Sequence, residues 1–312
     1  MDNRNACGQP VGVVVAGVRQ AAFGDRPEVD VWQALDGGVE ERWLAAVVLG
    51  GQGRYAAAAS VLGGLIRGGG LFGSLAASTL ASHRRQLGGH AAARELDGRA
   101  LAMAPDRGGE DADDVDAAGA RTDALLGLAA DAVGAGRLAE ARRLHATVEP
   151  RGWRSRVRHQ WLAAEIALAG GHAEQAVHPA EVAAATAREA GAMRHILKSD
   201  LVLGAALVVW GTPESVERGV ELLLCDLNHT DRRGLFSLVW PTALVLANAQ
   251  ADRTIAGTEN VKERAENALS CVLRRADPSG RRLADRSPWI PTALLRSGEP
   301  PNADAQTNFL TD

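Results

Sequence analysis

Aromatic side chains are scarce in this chain: Phe, Trp and Tyr make up 4% of it, and there is one tyrosine. Sheet-rich folds fill their cores with β-branched and aromatic residues, so the shortage points away from a sandwich or barrel. A basic surplus is missing too, since the formal net charge is −4. A dedicated nucleic-acid binder carries excess positive charge against phosphate, and no direct nucleic-acid partner is expected. Cysteine is nearly absent. Cys7, Cys225 and Cys271 form an odd set with no CxxC spacing, which fits reduced thiols in a cytoplasm and not a disulfide framework. The run Val11 to Val18 contains Gly12 and Gly17 and has no basic leader. It is too short to span a bilayer and a poor signal peptide. A soluble, cytoplasmic protein with no membrane partner is expected.

Signatures of catalysis are also lacking. Gly50-Gly51-Gln52-Gly53-Arg54 and Gly68-Gly69-Gly70 have no following Gly-Lys-Ser/Thr and join no strand to a helix, so they are neither a P-loop nor a dinucleotide fingerprint. They read as turns between helices. The eight histidines show no metal-ligand spacing, and the nearest pair, His172 and His178, has no cysteine or carboxylate to complete a set. No nucleophile-elbow pattern occurs. Asp111 to Asp116 lacks the glycine and closing glutamate of a calcium loop. Neither catalytic residues nor a cofactor nor a metal is expected.

What the chain does have is alanine, glycine and 46% hydrophobic residues. That composition supports a sizeable core of closely packed helices. Apolar residues recur at helical spacing over most of the length, and the fold class is all-α. Pro105 to Asp116 interrupts the series with Glu110, Asp111, Asp113, Asp114 and Asp116 and no apolar cluster, and reads as an exposed acidic loop. Pro241 sits inside the last long helical pattern, so that helix is kinked or begins late. Residues 277–312 hold five prolines and read as an irregular tail, with Trp289, Ile290 and Leu294 able to dock it on the body.

The helices repeat. Alignment on the turn glycines Gly53, Gly88, Gly136 and Gly171 places Ala58, Ala93, Ala141 and Ala176 five residues later, and Ala46, Ala81, Ala129 and Ala164 seven residues earlier. The glycines are spaced by 35, 48 and 35 residues, and the acidic loop accounts for the long middle interval. A weaker fifth copy has Gly211, Gly204 and Val216. The pattern resembles the tetratricopeptide repeat, a helix pair of about 34 residues with a small residue late in its first helix, a turn glycine and a closing proline. Gly88, His90, Ala93, Ala100 and Pro105 carry the best copy. The early tryptophan of that family is displaced by one position, at Trp43 and Trp161.

The resemblance implies a right-handed α-solenoid of antiparallel helix pairs over residues 39–228, interrupted by the loop at 105–116. Divergent helices would precede it at 1–38, further helices would follow at 229–276, and the tail would close the chain. It also implies a concave groove lined by the first helix of each pair. In this register the groove holds Glu40, Trp43, Ser78, Ser82, Arg85, Asp123, Arg158, Trp161, Glu165 and Lys198. Of these, Trp43, Ser82, Arg85, Arg158, Trp161, Glu165 and Lys198 are the expected partner-binding set, with Trp and Arg the usual interface anchors. Trp43 and Trp161 fit a core role equally. The dense basic stretch around Arg142, Arg143, Arg151, Arg154, Arg156 and Arg158 reads as a face paired with the acidic loop, or as a site for an acidic peptide or phosphate. Two functions follow as expectations. One is a non-catalytic, regulatory scaffold that binds a protein or peptide in its groove. The other is a ligand-sensing domain that takes a small anionic effector inside the superhelix. The partner's identity and the state of self-association are left open.

Overall fold

A computed structural model describes residues 11–249 and 260–292, with side chains from residue 16 onward. Cys7, Leu294 and the rest of the tail beyond residue 292 lie outside the described residues. Among the described residues the protein is all-helical, with no strand. After α1 (Val11–Phe23) and a 3₁₀ turn (Trp32–Asp36) come α2 (Val39–Gly51) and α3 (Tyr55–Gly68), then α4 (Gly70–Arg85) and α5 (His90–Met103). The acidic loop leads into α6 (Ala117–Gly134) and α7 (Leu138–Ala146). They are followed by α8 (Trp153–Ala169) with α9 (Ala173–Glu189), α10 (Met193–Trp210) with α11 (Pro213–Arg232), and α12 (Phe236–Ala249) with α13 (Val261–Arg274). A last helix, α14 (Pro278–Arg286), occupies part of the stretch expected to be irregular. Asp277 caps its N-terminus, accepting from the Ser279 and Gly280 amides, and Pro278 opens its first turn.

Local chemistry explains the spacing. At Gly53, Gly88, Gly136 and Gly171 the backbone φ is +73°, +72°, +71° and +77°. Each glycine N–H donates to the carbonyl three residues back, and the next residue's N–H donates five back, as in Gly88 to Arg85 and Gly89 to Arg84. This is a left-handed helix stop, which a residue with a Cβ adopts only at a cost. The same two bonds recur at Gly191 and Gly234, between pairs. All eight repeat alanines, from Ala46 to Ala176, are completely buried. Gly204 and Gly219 play the alanine role where α10 crosses α11: a Cβ on Gly219 would come within 3.0 Å of the Gly204 carbonyl oxygen. Pro241 lies inside α12, which begins at Phe236, while α11 runs on to Arg232.

Each helix packs on its pair partner, and each second helix packs on the first helix of the following pair. The first helices α2, α4, α6, α8, α10 and α12 also touch in that order, and α12 returns to α2. The junction between first and last pairs is bonded: Ser237 Oγ donates to the Gly51 carbonyl at 2.7 Å, and the Ala56 amide donates to the Arg275 carbonyl at 2.7 Å. The tail reinforces it, with Arg84 and Asp277 paired at 2.6 Å and Ile290 buried. The array therefore curls until its ends meet and encloses the inner faces of its first helices. No described helix is long and apolar enough to cross a membrane.

The acidic loop is exposed over residues 106–110, as its composition suggests, but from Asp111 onward it is tied to the body. Asp114 is buried and accepts from the Gly152 and Ser155 amides, capping α8. Asp113 accepts from Trp153 Nε1 at 2.9 Å, and the Asp113 and Asp114 carbonyls accept from the Arg154 guanidinium. Arg19 of α1 reaches Asp111, Asp113 and Glu40 at 2.6–3.0 Å. Charges supplied from far along the chain turn the loop into a clasp.

Candidate functional site

The enclosed interior is the candidate site, and α8 and α10 supply its cations Arg154, Arg158, Arg194 and Lys198, with Arg85 from α4. On α8, Arg154, Arg158, Trp161 and Glu165 fall at helical spacing and share one face. On α10, Arg194 and Lys198 stand one turn apart. Two cavities meet here. The larger, about 50 Å³, is lined by Phe23, Trp43, Ser82, His83, Asp123, Arg154, Arg158, Trp161, Arg194 and His195 among others. The second, about 30 Å³, includes Arg85, His90, Arg194, Lys198, Trp240 and Trp289 in its wall. Arg194 belongs to both.

Of the seven residues expected in an open groove, five are buried: Trp43, Arg85, Trp161, Glu165 and Lys198. Ser82 and Arg158 are half-buried. Trp43, Ser82, Arg158 and Trp161 do converge on the larger cavity, and Arg85 and Lys198 line the smaller. Glu165 lies between Arg158 and Trp161 in a minor recess, with Lys198 Nζ 4.0 Å away. Six of the seven thus line the two cavities, in an interior and not in an open groove.

Several of these groups are already committed. Arg85 has no exposed side-chain surface and bridges Asp97 at 2.9 Å and Asp131 at 2.7 Å, both equally buried. Burial pushes the Asp97 carboxyl up to about 7 against the pull of Arg85, and Asp131 is raised for the same reason. Burial and nearby Arg85 hold His90 down at about 4. This cluster is structural: a carboxylate pair closing around one guanidinium. Trp43 Nε1 donates to Thr79 and Trp161 Nε1 to Ser199. Lys198 Nζ sits 5.7 Å above the Trp161 ring, a cation–π contact.

The larger cavity is different. Its wall carries three arginines, Arg154, Arg158 and Arg194, and one carboxylate, Asp123. Asp123 is shared, accepting from Arg154 at 2.7 Å and from Arg158 at 3.1 Å. Asp113 and Asp114, just behind the wall, also act on Arg154, so the surplus positive charge falls on Arg158 and Arg194. Arg154 is spent on Asp123 and the loop carbonyls. Arg158 gives one nitrogen to Asp123. Arg194 forms no ion pair among the described residues, and its Nε is buried without an acceptor. Aromatic rings complete the wall: His195 stacks on Trp161 at 5.6 Å and meets Trp153 edge-on at 4.9 Å.

Arg154, Arg194, His83, His195 and Phe23 are among the cavity residues that the repeat register does not select. Arg194 precedes Lys198 by one turn, so helical spacing alone places it on the same face. Phe23 comes from α1, outside the repeats, where no register applies. Among the described residues no group of three His, Cys, Asp or Glu is placed to hold a metal ion. Cys225 and Cys271 are free thiols away from the cavity. No family model, no curated protein and no solved structure matches this chain.

Proposed function

We propose that the protein is a non-catalytic regulatory module, a curled array of tetratricopeptide-like helix pairs that senses a small anionic effector in its interior. The observation that carries this reading is the imbalance of charge on the larger cavity wall, with Arg194 lacking any acceptor for a buried donor. A guanidinium so placed is stabilised by an acid group that accepts from it, and such charge-assisted bonds are the strong ones. The cavity of about 50 Å³ exceeds the roughly 10–15 Å³ that one water requires, which is room for a compact oxyanion. Repeat spacing, turn geometry and the eight buried alanines support the tetratricopeptide-like description.

A scaffold that lays a peptide along the same helices is supported less. Trp43 and Arg85 are 1% and 2% exposed, so a peptide would reach them only after neighbouring pairs separated. Thermal unfolding in inorganic phosphate tests the proposal. Phosphate should raise the melting temperature of the wild type by mass action, and Arg194→Gln should lose most of that gain. Phosphate also stabilises proteins generally by exclusion from their surface. An equal gain in wild type and Arg194→Gln would therefore remove the interior site as its cause.

A further inference from the structure

Phe23 belongs to α1, yet its ring lies among the inner helices. It is buried and lines the larger cavity. Its centroid is 5.9 Å from Trp43, 6.4 Å from Trp153 and 6.3 Å from His195, and the Arg154 guanidinium carbon stands 5.6 Å from it. An aromatic cage with one cationic wall is thus filled by a side chain from outside the repeats. α1 packs mainly on α2, where Val18, Ala21 and Ala22 are buried. The Gly24 carbonyl accepts from the Met193 amide at 2.9 Å. Gln52 Nε2 donates to the Pro27 and Val29 carbonyls just beyond. Arg19, with a side chain 25% exposed, clasps Glu40, Asp111 and Asp113. Arg19's partly solvated ion cluster adds little to this, and a helix packed mainly on one neighbour opens before helices packed within the pairs.

We infer that Phe23 is a displaceable plug in the effector site, and that the effector is a small acid bearing a planar ring, an aryl phosphate or aryl carboxylate. The inference rests on the anion reading above. The ring takes the place of Phe23 between Trp43, Trp153 and His195, and inherits the cation–π contact of Arg154. The acid group meets Arg158 and Arg194 at the cavity of about 50 Å³. That volume accommodates an acid group but no ring beside Phe23, so a ring-bearing ligand binds only when α1 has swung away. α1 and the acidic loop then form an autoinhibitory latch. Apparent affinity equals intrinsic affinity scaled by the open fraction, and weakening the latch raises that fraction without touching the site.

Isothermal titration of the full chain with phenyl phosphate and with inorganic phosphate tests this. Arg19→Gln should tighten phenyl phosphate by about five- to tenfold, as an enlarged open fraction requires. Inorganic phosphate, which fits beneath the plug, should change by less than about twofold on the same argument. Arg194→Gln should lose both ligands. Phenyl phosphate binding that is unchanged or weaker in Arg19→Gln overturns the plug, while loss of phosphate in Arg194→Gln would leave the anion site standing. Wild-type affinity of Arg194→Gln for both ligands overturns plug and anion site together. If Arg19→Gln fails to fold, hydrogen exchange on the wild type decides. Faster exchange of amides 16–23 with phenyl phosphate than with inorganic phosphate supports the plug, and equal or slower exchange overturns it.

Discussion

Replacing Arg85 by leucine separates a structural role for this residue from a role in contacting partners. The guanidinium has no exposed surface and neutralises Asp97 and Asp131 at 2.9 and 2.7 Å. Removing one partner of a buried ion pair strands the other, which costs about 3–5 kcal/mol. Two stranded carboxylates place Arg85→Leu at the upper end of that range near pH 7. Asp97→Asn should be mild, under about 1.5 kcal/mol, because Asp97 already titrates at about 7 and the Arg85–Asp131 pair survives. The pH dependence has a definite sign. A carboxyl raised in the folded state binds protons there that the unfolded chain does not, so it adds stability at low pH and loses it as pH rises through the folded value. Without Arg85 both carboxyls rise further, and the penalty of Arg85→Leu shrinks on acidification by up to about 1.4 kcal/mol per pH unit for each proton. Urea unfolding followed by circular dichroism at pH 8 and pH 6 measures this. A cost below about 1 kcal/mol at pH 8, or one that grows on acidification, would refute the buried cluster.

Two further outcomes are expected. Ala93, completely buried in α5, has no room for a larger side chain. Ala93→Leu should cost roughly 1–3 kcal/mol by overpacking, seen as a lowered melting temperature, and an unchanged melt would contradict the packing of the pairs. His90 is held down at about 4 by burial and by Arg85, so its neutral form contributes stability above the unfolded value and loses it as pH falls from about 6.5 toward 4. The loss approaches about 3 kcal/mol, and the gap in urea midpoint between wild type and His90→Asn should narrow steadily across that window.

Much of the architecture is legible in the chain because glycine and alanine have narrow uses. A glycine that must adopt positive φ and an alanine that must fit where helices cross leave a periodic trace, and both sets fall where the periodicity puts them. Pro278 after Asp277 marks the start of α14 by the same logic, although the proline count suggests an irregular tail. The site is less legible. Whether the first helices line an open groove or an enclosed interior depends on small rotations between pairs, which accumulate around the array. No single position encodes them. Arg85 reads as a groove cation for that reason, and its neutralisation becomes evident only when α5 and α6 bring in Asp97 and Asp131. The acidic run reads as solvated because its partners, Arg19 and Arg154, lie far away in sequence. Phe23 leaves no trace, since one phenylalanine in an apolar helix gives no sign of what it enters.

The junction between the first and last pairs has a consequence for how the molecule can change over time. An open array grows or shrinks by duplicating or deleting a repeat, because the end units face only water. Here the Gly51–Ser237 and Ala56–Arg275 bonds tie the number of pairs to the curvature of each. A seventh pair would force the junction apart, and a missing one would leave a gap that the rest must bend to close. The count is fixed by geometry, and change is confined to insertions in the links between pairs. Among the described links between pairs, the acidic segment between α5 and α6 is the longest.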